Sequence, residues 1–206
     1  INGTPSTIKG INFFEDLPLN GSALDYNTVE KDLKNIKDLG FNTIRVPGNS
    51  AHPFVIKAAQ RIGLYVLQEY PFNEVPSRLL RDDNFVKDGV DYLSNIVKRD
   101  VYSPAIIAWG IGNDFDVTTS ESENYASKMK LSIEQLDNRP LYYTTRNLTN
   151  DKIEGIINIK GYNIYEQNFN TVKTNIEKIN KSGLVFISSL GVSIDNNNRN
   201  GFGDFR

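Results

Sequence analysis

An α/β chain of repeated strand–helix units, and among such chains the (β/α)8 barrel, is what this sequence predicts, on three observations. Short apolar runs alternate with longer amphipathic stretches almost to the end of the chain. One run, 105–111, is apolar on both faces, as a buried parallel strand must be. A Gly-x-Gly-x-x-Gly fingerprint is absent after the first run, as is any Walker-type loop, so the competing open doubly wound sheet lacks its usual nucleotide signature. The barrel is favoured.

The elements follow in order. Residues 8–14 form the first strand. In 25–39, Val29, Leu33, Ile36 and Leu39 fall at helical spacing, and Gly40 stands where a helix ends in a left-handed residue. Residues 41–46 make a second strand ended by Pro47-Gly48. A second helix over 52–62 stops at Gly63, and 64–67 is a third strand closed by the polar segment 68–76. A third helix covers 84–99 and precedes the apolar fourth strand. The second half reads as helix 120–137, strand 141–145, a short poor helix at 151–157, strand 159–165, helix 171–182 and strand 184–190. After Leu190 sixteen residues remain, mostly Asn, Gly, Asp and Arg. The barrel is therefore expected to be incomplete at its eighth unit, or closed by the short segments 192–194 and 201–206.

Composition narrows the function. The 206 residues, 39% hydrophobic and 11% aromatic, suit one packed domain, and the whole of 1–206 is read as a single domain taken from a longer protein, since it starts at Ile1 without a Met. The 23 Lys+Arg and 25 Asp+Glu leave a charge of −2, which offers no basic field for nucleic acid. There is no cysteine and one histidine, His52, so thiolate and multi-histidine metal sites are excluded and no cofactor is expected. No apolar run approaches the roughly 20 residues of a membrane span.

In barrels, function is built on the loops at the carboxyl ends of the strands. Those positions hold Glu15-Asp16, Arg45, Gln68-Glu69, Asn113-Asp114-Phe115-Asp116, Thr145-Arg146, Asn163 with Tyr165-Glu166, and Ser188-Ser189. One rim thus collects acids, amides and aromatics. Sugars present hydroxyls to amides and carboxylates and C–H faces to rings, so this inventory suits a carbohydrate. Trp109, inside the apolar fourth run, reads as core. Arg45 reads as the partner of Glu15 or Glu69 across the interior, and His52 as a helix-start residue.

Four motifs carry a more specific resemblance: Ile8-Lys9-Gly10-Ile11-Asn12-Phe13-Phe14-Glu15-Asp16, Leu39-Gly40-Phe41-Asn42-Thr43-Ile44-Arg45-Val46, Ile62-Gly63-Leu64-Tyr65-Val66, and the stretch from Arg99 through Ser103-Pro104 and Trp109 to Asn113. Gly161-Tyr162-Asn163-Ile164-Tyr165 and Val185-Phe186-Ile187-Ser188-Ser189-Leu190-Gly191 extend it. Together they resemble the catalytic TIM barrel of glycoside hydrolase family 2, which contains β-galactosidases, β-glucuronidases and β-mannosidases. The resemblance implies a retaining mechanism, with a carboxylic acid after strand four and a carboxylate nucleophile at the end of strand seven. Both are usually glutamate; the matching positions here are Asp114 and Ser189. It also implies substrate contacts from Arg45, Asn113, Glu15, Glu69, Asn163, Tyr165 and Glu166.

The departures differ in weight. Asp114 keeps an acid but draws the carboxyl back by roughly 1.5 Å, and a misplacement of about 1 Å can cost on the order of 100-fold in rate. Ser189 has no ionised oxygen and no histidine in its motif to activate it. The expected function is thus a degenerate family 2 barrel that binds a glycan or neighbouring protein domains. The alternative is an inverting glycosidase with Asp114 as acid and Glu15, Glu69, Glu166 or Asp195 as base. A structural spacer with an apolar-filled cleft is a third reading. The resemblance suggests a bacterial, extracytoplasmic setting.

Overall fold

The computed structural model describes residues 3–16, 23, 25–165, 169–179 and 183–190. Within them lie seven strands: β1 (Gly10–Asn12), β2 (Thr43–Arg45), β3 (Tyr65–Glu69), β4 (Ile106–Asn113), β5 (Leu141–Thr145), β6 (Ile159–Ile164) and β7 (Leu184–Leu190). They are joined by α1 (Tyr26–Asp38) after β1, α2 (Pro53–Ile62) after β2, α3 (Asp83–Asp100) after β3, α4 (Ser120–Glu134) after β4 and α5 (Phe169–Lys178) after β6. Every strand pair is parallel, in the order β1 to β7. The sheet curls into a nearly closed barrel that lacks its eighth unit among the described residues. Segments 192–194 and 201–206, candidates for closure, lie outside those residues.

Local chemistry sets the helix ends. Asp25 caps α1 by accepting from the Thr28 amide at 2.9 Å, and His52 caps α2 through Nδ1, with Pro53 in the first turn. His52 is thus the helix-start residue its sequence position suggests. Gly63, at φ 80°, ends α2 in the left-handed region that a side chain would strain. One expected helix does not form. In 151–157, Asp151 Oδ1 accepts from the amides of Ile153 and Glu154, and Asn150 and Gly155 take positive φ, so an Asx turn replaces the first helical bonds. A short 3-10 turn, Ser77–Arg81, falls in a stretch where no element was expected.

The barrel has two packing regions. Its outer face packs against the helices in two clusters, a large one that includes Leu33, Ile44, Val66, Leu93, Trp109, Ile111 and Tyr143 and a smaller one of Tyr162, Ile164, Val172 and Ile179. Burying each such side chain contributes about 1.5–3 kcal/mol. Inward-facing residues alternate with these and fall into two staggered rings, set by position along each strand and not by direct pairing, since Arg45 pairs with Leu67 and Tyr142 with Gly110. Gly10, Thr43, Leu67, Ala108 and Tyr142 lie nearer the amino ends of their strands, the lower ring; Asn12, Arg45, Glu69, Asn113, Thr144 and Asn163 lie nearer the carboxyl ends, the upper ring. The lower ring is mostly apolar and the upper one polar. That division places the candidate site at the carboxyl ends of the strands.

Candidate active site

The upper ring is a buried polar lattice centred on Arg45. Its Nε donates to Glu69 Oε2 at 2.9 Å, and Nη2 donates to Asn113 Oδ1 at 2.9 Å and Thr144 Oγ1 at 3.0 Å. Glu69, fully buried, spends Oε1 on the Gly48 amide at 2.8 Å and also accepts from the Tyr142 hydroxyl at 3.0 Å. Burial alone would lower the Arg45 pKa, but the charge of Glu69 and the Tyr142 hydroxyl reverse the shift and raise it. Burial, reinforced by Glu69, pushes the Tyr142 hydroxyl well above its ordinary value, so Tyr142 serves as a donor. Of the two partners the sequence offered Arg45, the structure selects Glu69.

Asn113 continues the lattice. Its Oδ1 also accepts from Asn163 Nδ2 at 2.9 Å and from Thr144, and its Nδ2 donates to Asn73 Oδ1 at 2.6 Å. Asn163 in turn accepts from Ser188 Oγ at 2.6 Å and donates to Asp114 Oδ1 at 2.7 Å. Arg45, Glu69, Asn113 and Asn163, all named from the sequence, are thus joined in one network with Tyr142, Thr144 and Ser188.

Asp114 sits where the fourth strand ends, at φ 51°, a left-handed conformation that costs a non-glycine residue roughly 1–3 kcal/mol. Its side chain is 2% exposed. Asn163 holds Oδ1, and Arg146 Nε holds Oδ2 at 3.0 Å. Arg146 bonds Glu74 with its other arm and lies over the Tyr165 ring at 4.8 Å. Glu74 shares the unusual backbone, at φ 50°. Thus one guanidinium bridges two acids in strained conformations and stacks on a half-exposed tyrosine.

Ser189 lies at a register shift in β7, opposite Asn163, and accepts from Asn12 Nδ2 at 2.8 Å. The shift turns two successive serines toward the barrel mouth, since Ser188 also reaches Asn163. Burial raises the Tyr165 pKa, and a hydrogen bond with Ser189 opposes the shift. Glu15 stands apart from the lattice: its Oε1 accepts from the His52 amide at 2.8 Å. Phe14, beside Glu15, is 62% exposed and does not fill the cleft. Glu166 and Asp195 lie outside the described residues. Asp116 caps the turn at Thr118, and Glu121 pairs with Arg81 at the surface. Trp109 is core, at 0% exposure.

Sequence reasoning missed Tyr142, Thr144, Asn12, Asn73 and Glu74 as site residues, and named Arg146 and Ser188 without giving them a role. Period-2 alternation in Leu141–Thr145 puts Tyr142 and Thr144 on one face, but their neighbours Tyr143 and Thr145 are of the same types, so nothing local says which pair faces inward. Among the described residues no group of three or more His, Asp or Glu side chains is placed to hold a metal ion, and no helix is long and apolar enough to cross a membrane.

Burial raises the Glu15 pKa, with the His52 amide and charge and Arg99 opposing. A carboxyl raised in the fold stabilises it below the unfolded value, near 4.5, and that contribution is lost as pH rises through the folded value. Glu15→Gln keeps the acceptor for His52 without the charge. The Tm difference between this variant and the parent chain is expected to be more favourable at pH 7 than at pH 4, and thermal melts at both pH values check it.

Comparison with known proteins agrees with this geometry. The chain is 34% identical over 118 residues to a "Beta-galactosidase 2" of Enterobacter cloacae, covering 55% of this chain and 12% of that protein. It is 32% identical over 118 residues to a beta-galactosidase of Pectobacterium atrosepticum, covering 55% and 11%. The chain thus spans about an eighth of the length of the curated relatives it matches. Among solved structures, it superposes on a GH2 beta-galacturonidase from Eisenbergiella tayi bound to galacturonate with a TM-score of 0.82 at 24% identity, covering 90% of this chain and 36% of that one. An FMN-binding beta-glucuronidase from Facaelibacterium prausnitzii L2-6 gives 0.81 at 19% identity, covering 95% and 32%. At these identities both show the fold alone. The model of the glycosyl hydrolases family 2 TIM barrel domain matches residues 1–186, nine-tenths of the sequence, and the chain belongs to that family.

Proposed function

We propose that this domain is a family 2 barrel that binds a glycan at the carboxyl ends of its strands and does not hydrolyse it. The observation that carries the reading is the state of the two positions on which retaining hydrolysis depends. Both oxygens of Asp114 accept hydrogen bonds from protein side chains, Asn163 on one and Arg146 on the other, so neither is free to deliver a proton to a leaving oxygen. At the other position Ser189 supplies a hydroxyl held by Asn12, where a glycosyl ester needs a carboxylate. An inverting route draws no support from Glu69, which is buried with both oxygens used.

What remains for a ligand is the rim above the lattice. Tyr165, 48% exposed, offers a ring to a sugar's C–H face, and Arg146 and Glu74, both about half exposed, offer a donor and an acceptor for hydroxyls. Neighbouring protein domains are the alternative occupants of this rim. The setting we propose is a bacterial, extracytoplasmic glycan-handling protein, consistent with the bacterial origin of the matched relatives. Titration calorimetry against neutral and uronic β-linked oligosaccharides tests the reading. Saturable binding weakened at least fivefold by Tyr165→Ala is expected; no binding to any of them, or binding indifferent to Tyr165, would overturn the glycan assignment.

A further inference from the structure

Arg146 is the cation that the rim offers to an acidic ligand. It lies over the Tyr165 ring with more than half of its side chain exposed, and among the described residues it is the only basic residue lining either of the two clefts beside it. The larger cleft, of about 420 Å³, is also lined by Asp114, Asp116, Thr118 and Asn147. A guanidinium grips a carboxylate best with two parallel N–H groups, either Nε with Nη2 or Nη1 with Nη2. Here Nε and Nη2 both reach Asp114 Oδ2 at 3.0 Å, and Nη2 also bonds Glu74 Oε1. Nη2, common to both grips, is thus spent twice.

The two acids stand differently in the fold. Asp114 is buried and also bonds Asn163, so Arg146 could not leave it without stranding a buried charge. Glu74 is half exposed, and its backbone N–H, bonded to the Asn113 carbonyl, holds its loop without help from the carboxylate. What that carboxylate does is occupy Arg146. Asp114 and Asp116 line the cleft and Glu74 adjoins it, three carboxylates to one guanidinium, so a ligand's own carboxylate would meet net negative charge. A hydroxyl meets no such cost. We propose that, in a rim that binds a glycan, Glu74 is a specificity-determining residue: by occupying Arg146 it turns the site against sugar acids and toward uncharged sugars. This rests on the glycan reading above and narrows it to a substrate class.

Calorimetric titration of the full chain with β-linked disaccharides in matched pairs tests the assignment, terminal glucose beside glucuronic acid and terminal galactose beside galacturonic acid. The parent chain is expected to bind the neutral member of a pair at least tenfold tighter. Glu74→Gln removes the charge at nearly constant size. Glu74→Asn, whose short side chain suits the φ of 50°, is the second variant should circular dichroism show the first to be misfolded. Either is expected to raise the ratio of uronic to neutral affinity at least tenfold, and adding Arg146→Gln is expected to cancel that rise. No binding of any of the four sugars to the parent chain would overturn the glycan reading itself, and this assignment with it. Equal or tighter binding of the uronic member would overturn the assignment alone. A ratio unmoved in a folded Glu74 variant, or a rise that survives Arg146→Gln, would overturn it as well.

Discussion

Replacing Glu69 by alanine is expected to destabilise the domain by about 3–5 kcal/mol, on the order of 10 °C in Tm. The loss comes from what stays behind. Arg45 would keep its charge in the barrel interior with no counter-charge, the Gly48 amide would lose its acceptor, and the Tyr142 hydroxyl would lose its partner. Surface ion pairs such as Lys87–Asp91, by contrast, are screened by water and contribute little. The double variant Arg45→Met/Glu69→Leu separates charge from packing. Removing both ions removes the unpaired buried charge, so it is expected to recover that part of the loss while the Gly48 amide and the Tyr142 hydroxyl stay without their acceptor. Denaturant melts of the three variants check this ordering, and a double variant as unstable as the single one would contradict it.

The second large effect is expected at Trp109. It faces outward from β4 into the helical layer, fully buried, and its indole N–H donates to Asp137 Oδ2 at 2.8 Å. Arg139 lies over the ring at 4.8 Å and donates to Asp137 and to the carbonyls of Val101, Ser103 and Ile106. One aromatic thus ties the end of α3 and the start of β4 to the turn before β5. Trp109→Ala is expected to cost about 3–5 kcal/mol through the cavity alone. Trp109→Phe fills most of that space and loses chiefly the indole bond, worth about 0.5–1.5 kcal/mol. Chemical denaturation distinguishes the two, and a variant pair of equal stability would contradict the packing account.

The order of strands and helices was legible because each strand is a short apolar run and each helix carries a 3.6-residue stripe with its own stop residue. Val29, Leu33 and Gly63 are such signals. Residues 151–157 misled for a local reason: Asp151 bonds the amides that a helix would have used, a competition that hydrophobic spacing does not register. The site was legible in part. Strand ends named Arg45, Glu69, Asn113, Asp114 and Asn163 correctly as neighbours, because a barrel brings all carboxyl ends to one rim. Their bonding to one another was not legible, since it depends on ring stacking across five strands. The Arg146 bridge was equally hidden, because Glu74 sits in a loop held by a hydrogen bond from its backbone N–H to the Asn113 carbonyl.

The proposed loss of hydrolysis is read most directly from turnover of aryl glycosides. Both α- and β-linked substrates would be supplied at high protein concentration, beside Asp114→Ala as the control for contaminating activity. Identical, background-level release from both proteins is expected. Turnover that is robust in the parent chain and disappears in Asp114→Ala would contradict it, showing that Arg146 and Asn163 release the Asp114 carboxyl when substrate binds.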